Sequence, residues 1–148
     1  MDRRLQAIGL QAMTTAALLT YFPPSRRLTV CYAGHPPAWI FSTADRRWSR
    51  LHVEGDDRAG VARNLPLGTG FELSYGRARR RLALGDRLVV VTDGVLEAPS
   101  PTGDEFGDQG VERVLHDTTL QSPESVVRAL LDALAAHTRE APPPCTTT

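Results

Sequence analysis

Lysine is absent from these 148 residues: all 17 basic side chains are arginine, set against 17 acids for a formal net charge of zero. Such an omission points to a GC-rich coding sequence more than to a function. The lack of a charge surplus says more, because a balanced chain has no field that would draw it to nucleic acid or to an anionic membrane. Cysteine is scarce as well. Cys31 and Cys145 stand far apart and outside any CxxC or Cys/His ligand pattern, which excludes a zinc site of familiar spacing. Cys31 lies in an apolar, strand-like run and reads as a buried free thiol rather than a disulfide partner. No apolar run approaches the roughly 20 residues that a membrane span needs. Met1 to Leu10 alternates charged and apolar residues and has no secretory apolar segment. A reducing cytoplasm is the expected location.

What is present, 41% hydrophobic and 23% charged, suits one soluble domain that buries roughly two-thirds of its unfolded surface. Residues 1–140 are expected to form it, and the Pro- and Thr-rich residues 141–148 read as a disordered tail. Helical spacing at Leu5, Ile8, Ala12 and Met13 could run on to Leu19. The β-branched and aromatic content of Thr14 to Phe22 favours a split, with a helix to about Leu10 and a strand from about Thr14. Phe22-Pro23-Pro24-Ser25 is then a hairpin turn. Leu28 to Tyr32 and Ala38 to Ser42 read as strands broken by Gly34-His35-Pro36-Pro37. A turn at Thr43 to Asp45 leads to a strand at Trp48 to Val53.

Gly55 to Asn64, with Asp56 and Asp57, reads as an exposed loop. Phe71 to Leu84 reads as a strand or bent hairpin with Arg77, Arg79 and Arg81 on one solvated face. After a tight turn at Gly85-Asp86, Leu88 to Thr92 is a continuous apolar, β-branched run, expected to be a strand buried on both faces. Ser122 caps a last helix with Pro123 in its first position, and Val126, Val127, Leu130, Leu131 and Leu134 form its apolar face. A short helix, about six strands and a C-terminal helical segment make an α+β fold. The missing βαβ alternation argues against a doubly wound parallel sheet.

The sharpest local feature is Leu88-Val89-Val90-Val91-Thr92-Asp93-Gly94. A buried strand ending in Asp-Gly delivers a carboxylate at the rim of a sheet, where glycine lets the backbone turn and a ligand approach. Hard divalent cations take such oxygen ligands; the local pattern by itself favours the plainer role, Asp93 capping the following turn. His35, held between Gly34 and Pro36, reads either as a base or ligand or as a structural histidine at a strand end. The acids of Thr102 to Gly110 lack the spacing of a calcium loop. No HxH pair supports a cupin-type barrel.

Taken in order, five elements resemble the SpoIIE/RsbU branch of the PPM-type serine/threonine phosphatases. They are Tyr32-Ala33-Gly34-His35-Pro36-Pro37, Leu65-Pro66-Leu67-Gly68, Leu84-Gly85-Asp86-Arg87-Leu88, Thr92-Asp93-Gly94-Val95-Leu96-Glu97-Ala98 and Glu105-Phe106-Gly107. Each is weak alone and the ordered set is strong. It covers Thr14 to about His137, the C-terminal two-thirds of such a domain. The resemblance implies an antiparallel β-sandwich flanked by helices, here incomplete. It also implies two Mn²⁺ or Mg²⁺ ions that activate a shared water for in-line attack on the phosphorus of a phosphoserine or phosphothreonine.

Asp93 matches the family's Thr-Asp-Gly metal ligand, with Gly94 admitting the ion. His35, Gly34 and Glu97 are expected to shape the site rather than react. The implied partner is a phosphorylated anti-sigma-factor antagonist. Absent are the family's early Asp-Val-Ser-Gly-His-Gly-like turn and its late Asp-Asp pair, since no acid follows Glu140. One carboxylate cannot hold two metals, so this chain is expected to be inactive by itself; a non-catalytic interaction module is the alternative. Unpaired sheet edges are expected to favour self-association.

Overall fold

A computed structural model describes residues 13–53, 64–69, 74–118 and 121–139. In chain order the strands are Ala16–Phe22 (β1), Arg27–Ala33 (β2), Trp39–Ser42 (β3), Arg47–Arg50 (β4), Ala78–Arg81 (β5) and Arg87–Val89 (β6). The helices are Asp93–Leu96 (α1), Gly107–Asp117 (α2) and Pro123–Thr138 (α3). The chain divides into two compact units, Met1–Val90 and Val91–Thr148.

In the first unit, prolines set the first reversal. Neither Pro23 nor Pro24 can donate to a ladder, and the chain turns through a short 3-10 segment, Pro23–Ser25. Arg26 closes it in a left-handed conformation, its N–H donating to the Pro23 carbonyl at 3.0 Å. β1 then pairs antiparallel with β2 from Ala16–Ala33 to Phe22–Arg27, and β5 takes β2's other edge. The second sheet runs β4-β3-β6, again antiparallel.

β2 alternates as a half-buried strand should. Leu28, Val30 and Tyr32 are buried on one face, while Arg27, Thr29 and Cys31 are less so on the other. The inward three meet Ala38, Ile40 and Leu51, with Leu19 and Leu88 packed at the margin. The two sheets therefore close on a common core, a sandwich of antiparallel sheets within an α+β chain. Burying a side chain such as Ile40 or Val30 contributes about 1.5–3 kcal/mol. The polar member of this core is Tyr32. Its hydroxyl donates to the Leu51 carbonyl at 3.2 Å and accepts the Ala38 N–H at 3.0 Å. Burial pushes the phenol's pKa up, offset in part by the Ala38 bond and by the charge of Arg50.

Several expectations need correction. The strand buried on both faces is β3, all four residues of which are buried: Ile40 packs in the core, while Trp48, Arg50 and Arg87 cover Trp39 and Phe41 on the other face. Leu88 to Thr92 is not such a strand: β6 ends at Val89 and pairs only with β3 among the described residues, and Val90 is exposed. Cys31 is free but only half-buried, since it points away from the core. The strand expected from Thr14 begins at Ala16, with Thr14 held by a separate bridge to Leu67. The expected helix to Leu10, the loop up to residue 63 and the tail 141–148 lie outside the described residues.

The second unit is helical. Ser122 caps α3 as its sequence suggests, its Oγ accepting the Ser125 N–H at 3.3 Å with Pro123 in the first turn. The apolar face is narrower than expected, because Val126 and Leu130 are buried while Val127 and Leu131 are exposed. Helix α2 was not anticipated; it packs against α3 and buries Val111 and Leu115 completely. Glycines at both ends of its first turn hide the helical signal. Gly110 has a packing reason, since a Cβ there would come within 2.8 Å of the Phe106 ring.

Replacing Tyr32 with Phe keeps the ring's volume and strands the Ala38 N–H and Leu51 carbonyl. Tyr32→Phe is expected to lower unfolding stability by about 1–3 kcal/mol, read as a lower urea midpoint at unchanged slope. An unchanged midpoint would remove the hydroxyl from the account.

Candidate functional site

Asp93 opens α1, a single turn that follows the buried Val91. Thr92 precedes it in extended conformation and makes no side-chain cap. Asp93 instead bonds locally: its Oδ1 accepts the Gly94 N–H at 2.9 Å, and its carbonyl accepts the Glu97 N–H at 2.8 Å. The carboxylate is exposed and leaves further lone pairs to solvent. Glu97, also exposed, lies four residues on, which places the two acids on one side of the turn.

Gly94 departs from expectation. It does not adopt a positive φ, and an added Cβ would meet only Thr92 Oγ1 at an ordinary 3.7 Å. The turn itself does not require glycine there. What glycine gives at this position is open backbone beside the Asp93 carboxylate.

Gly34 is the opposite case. Its φ is 65°, and a Cβ would come within 2.7 Å of Pro66 Cγ and 2.9 Å of the Pro66 backbone. Its N–H donates to the Asn64 carbonyl at 2.7 Å. Leu67 exchanges two backbone bonds with Thr14, at 3.0 and 2.8 Å. The first two motif elements thus brace one another. His35 beside them is buried, and its Nδ1 lies 2.8 Å from the Pro36 carbonyl. A carbonyl only accepts, so Nδ1 carries the proton and the ring is tied to its own bend. That is the structural reading of this histidine.

The third element holds a residue that sequence reasoning passed over as a turn former. Asp86 accepts the Thr43 N–H at 2.9 Å, the Thr43 hydroxyl at 2.8 Å and the Ala83 N–H at 2.9 Å. It thereby joins the turn before β6 to the turn after β3. Gly85, at φ 85°, leaves no room for a Cβ, which would sit 2.9 Å from Thr43 Cγ2. An acid directly after a turn glycine was the available signal. In the second unit the last two elements meet likewise. Phe106 N–H donates to the Ala98 carbonyl at 2.9 Å, and Pro99 bridges Glu105. His137 donates from Nε2 to the Asp104 carbonyl at 2.9 Å and sets its ring edge-on to Phe106. Asp104 accepts the Thr102 hydroxyl within its own loop at 2.8 Å.

Gly34 and His35 belong to the first unit, and Asp93, Gly94 and Glu97 to the second. Among the described residues no three His, Cys, Asp or Glu side chains gather as a metal site. A hard divalent cation takes about six or more oxygens, and the turn at Asp93 offers two carboxylates. The described residues therefore do not by themselves fit a pair of divalent cations. No helix among them is long and apolar enough to cross a membrane.

Comparison with known proteins follows the same lines. The family model for Stage II sporulation protein E (SpoIIE) matches residues 1–143. Phosphoserine phosphatase RsbU of Bacillus subtilis (strain 168) is 23% identical over 130 residues, covering 87% of this chain and 36% of that protein. The SiaA-PP2C domain of Pseudomonas aeruginosa superposes with a TM-score of 0.73 at 20% identity, over 95% of this chain and 51% of that one. The phosphatase domain of SpoIIE from Bacillus subtilis, presoaked with Mn, gives 0.61 at 16% identity, over 88% and 52%. The chain thus spans about half the length of these structures and about a third of RsbU.

The Asp86 carboxylate gives the stability of the first unit a pH dependence. Burial acts to raise its pKa and is the largest single influence. The bonds from Thr43 and Ala83, with Arg80 nearby, outweigh it and hold the group below the usual carboxylate range. A depressed folded-state pKa stabilises the fold above the unfolded value and loses that contribution as pH falls through the folded one. Asp86→Ala is therefore expected to cost about 1 kcal/mol at neutral pH, allowing for solvent screening. The gap between variant and parent should close in urea titrations carried down below pH 4, and a constant gap would contradict the assignment.

Proposed function

The chain belongs to the SpoIIE family, in the SpoIIE/RsbU branch of the PPM phosphatases, and from that premise we propose that it is part of a metal-dependent protein phosphatase domain acting on phosphoserine or phosphothreonine. The observation that carries this reading is the pairing of the motif elements in space. Gly34 closes on Pro66, and Phe106 bonds to Ala98 at the end of the Thr-Asp-Gly segment. Residues that serve only to brace would need no acid left over. Asp93 is such an acid, exposed beside a glycine whose own backbone does not require it.

In this reading Asp93 contributes one oxygen ligand of a Mn²⁺ or Mg²⁺ site, and Gly94 keeps the approach to it open. Glu97 adds negative charge on the same side of the turn. Gly34 and His35 hold the shape of their own bend in the first unit and do not react. The remaining ligands lie beyond the described residues. The proposed substrate is a phosphorylated regulatory protein of the anti-sigma-factor-antagonist kind, in keeping with the phosphoserine phosphatase named among the relatives. A second reading, a non-catalytic interaction module of the same fold, is favoured by the lack of a three-ligand group among the described residues.

Activity decides between them in a longer polypeptide that spans the full length of the relatives. With Mn²⁺ and a phosphoserine protein, Asp93→Ala is expected to lower turnover by about 100-fold or more, equivalent to ~2.7 kcal/mol at the transition state. Gly94→Ala should also lower turnover while leaving the melting temperature unchanged. Full activity in Asp93→Ala would eliminate the ligand assignment. An inactive parent polypeptide would favour the interaction module.

A further inference from the structure

Helix α1 is too short to hold itself. One helical turn fixes several dihedrals in return for very few hydrogen bonds, so Asp93–Leu96 keeps its geometry only where the fold pins it. At its end the pins run through Glu97 and Ala98. The Glu97 N–H returns to the Asp93 carbonyl at 2.8 Å, and the Ala98 carbonyl accepts the Phe106 N–H at 2.9 Å. Between Ala98 and Phe106 the chain reverses in a tight loop. Pro99 bridges Glu105, and the Ser100 N–H donates to the Asp104 carbonyl at 2.8 Å. Where the Asp93 turn stands therefore depends on what holds this loop and Phe106.

Both are held by His137, near the C-terminal end of α3 and 33 residues beyond Asp104. A carbonyl oxygen has two lone pairs. That of Asp104 takes the Ser100 N–H on one and His137 Nε2–H, at 2.9 Å, on the other. The same imidazole lies 5.3 Å from the Phe106 ring at 70°, an edge-on arrangement that aromatic rings favour. An aliphatic side chain could cover Phe106 but not donate, and an amide could donate but would bring no ring; histidine does both. His137 is only half-buried. The packing of α3 on α2 rests instead on the buried Val111, Leu115, Val126 and Leu130, so the contacts of His137 bear on the loop more than on the helix pair.

We propose that His137 is a positioning residue for the Asp93 turn: by bonding the Asp104 carbonyl and covering Phe106 it fixes the loop that anchors α1, and so fixes where the Asp93 and Glu97 carboxylates stand. The proposal rests on the reading of Asp93 as the acid left for chemistry and names what aims it. His137 acts through the loop and takes no part in the reaction itself.

Amide hydrogen exchange, followed residue by residue by NMR on the 148-residue chain, tests the positioning without any turnover. His137→Ala is expected to speed exchange of the Glu97, Ser100 and Phe106 N–H groups by roughly fivefold, the scale of one lost hydrogen bond. The Leu115 and Leu130 N–H groups in the helices should be unaffected. His137→Gln returns an amide donor and should restore most of the protection, whereas His137→Leu, which covers the ring without donating, should not. In the longer polypeptide assayed with a phosphoserine protein, His137→Ala should lower kcat by about fivefold at unchanged KM, again with rescue by His137→Gln. Unchanged exchange at Glu97 in His137→Ala would overturn the proposal and leave the Asp93 reading intact. So would an unaltered kcat in a polypeptide that Asp93→Ala inactivates. Full activity in Asp93→Ala would remove the Asp93 reading, and the proposal with it.

Discussion

A hydroxyl cannot sit between two β-sheets without partners, and the first unit is organised around how Tyr32 finds them. Unpaired, that group would cost on the order of 1–3 kcal/mol in mutational terms. Paired to the Leu51 carbonyl and the Ala38 N–H, it fixes the end of β2 against the start of β3 and the end of β4. Everything from Ala33 to Pro37 must then bridge two fixed points. A left-handed glycine at Gly34 and consecutive prolines at Pro36 and Pro37 are a chemical solution to that short span. The buried His35 ring completes it by bonding its own bend.

The same logic separates the residues that build from the residue that is left to act. Gly34, Pro66, Gly85, Asp86, Gly110 and Phe106 each have a structural reason for their identity: a Cβ that would not fit, a turn that must be pinned, or a ring that needs a seat. Gly94 and the Asp93 carboxylate have none of comparable force. A family motif contains both kinds of residue, and only physical accounting tells them apart. By that accounting Asp86, the more extensively bonded acid, is a structural residue, and Asp93, the less committed one, is the candidate for chemistry.

Much of this was legible in the sequence. The Pro23-Pro24 reversal, the alternation of β2 and the Ser122–Pro123 helix start follow from local chemistry that tertiary context did not override. Leu88 to Thr92 misled because an apolar run reports burial but not which strand is central. The sheet places β3 in the middle, and only the start of the run lies in a strand, β6, which among the described residues pairs with β3 alone. Helix α2 was hidden because glycine at positions 107 and 110 weakens helical propensity, and the Phe106 ring that explains Gly110 is a contact no propensity scale contains. The role of Asp86 was invisible for a related reason: its partner Thr43 lies 43 residues away.

The central proposal is that Asp93 would supply one ligand oxygen, on a scaffold whose described residues gather no three His, Cys, Asp or Glu side chains around it. Titration calorimetry of Mn²⁺ into the 148-residue chain addresses it directly. The account expects no stoichiometric binding in the micromolar range. Micromolar, stoichiometric binding that disappears in Asp93→Asn would contradict it, by showing that this chain assembles a complete site.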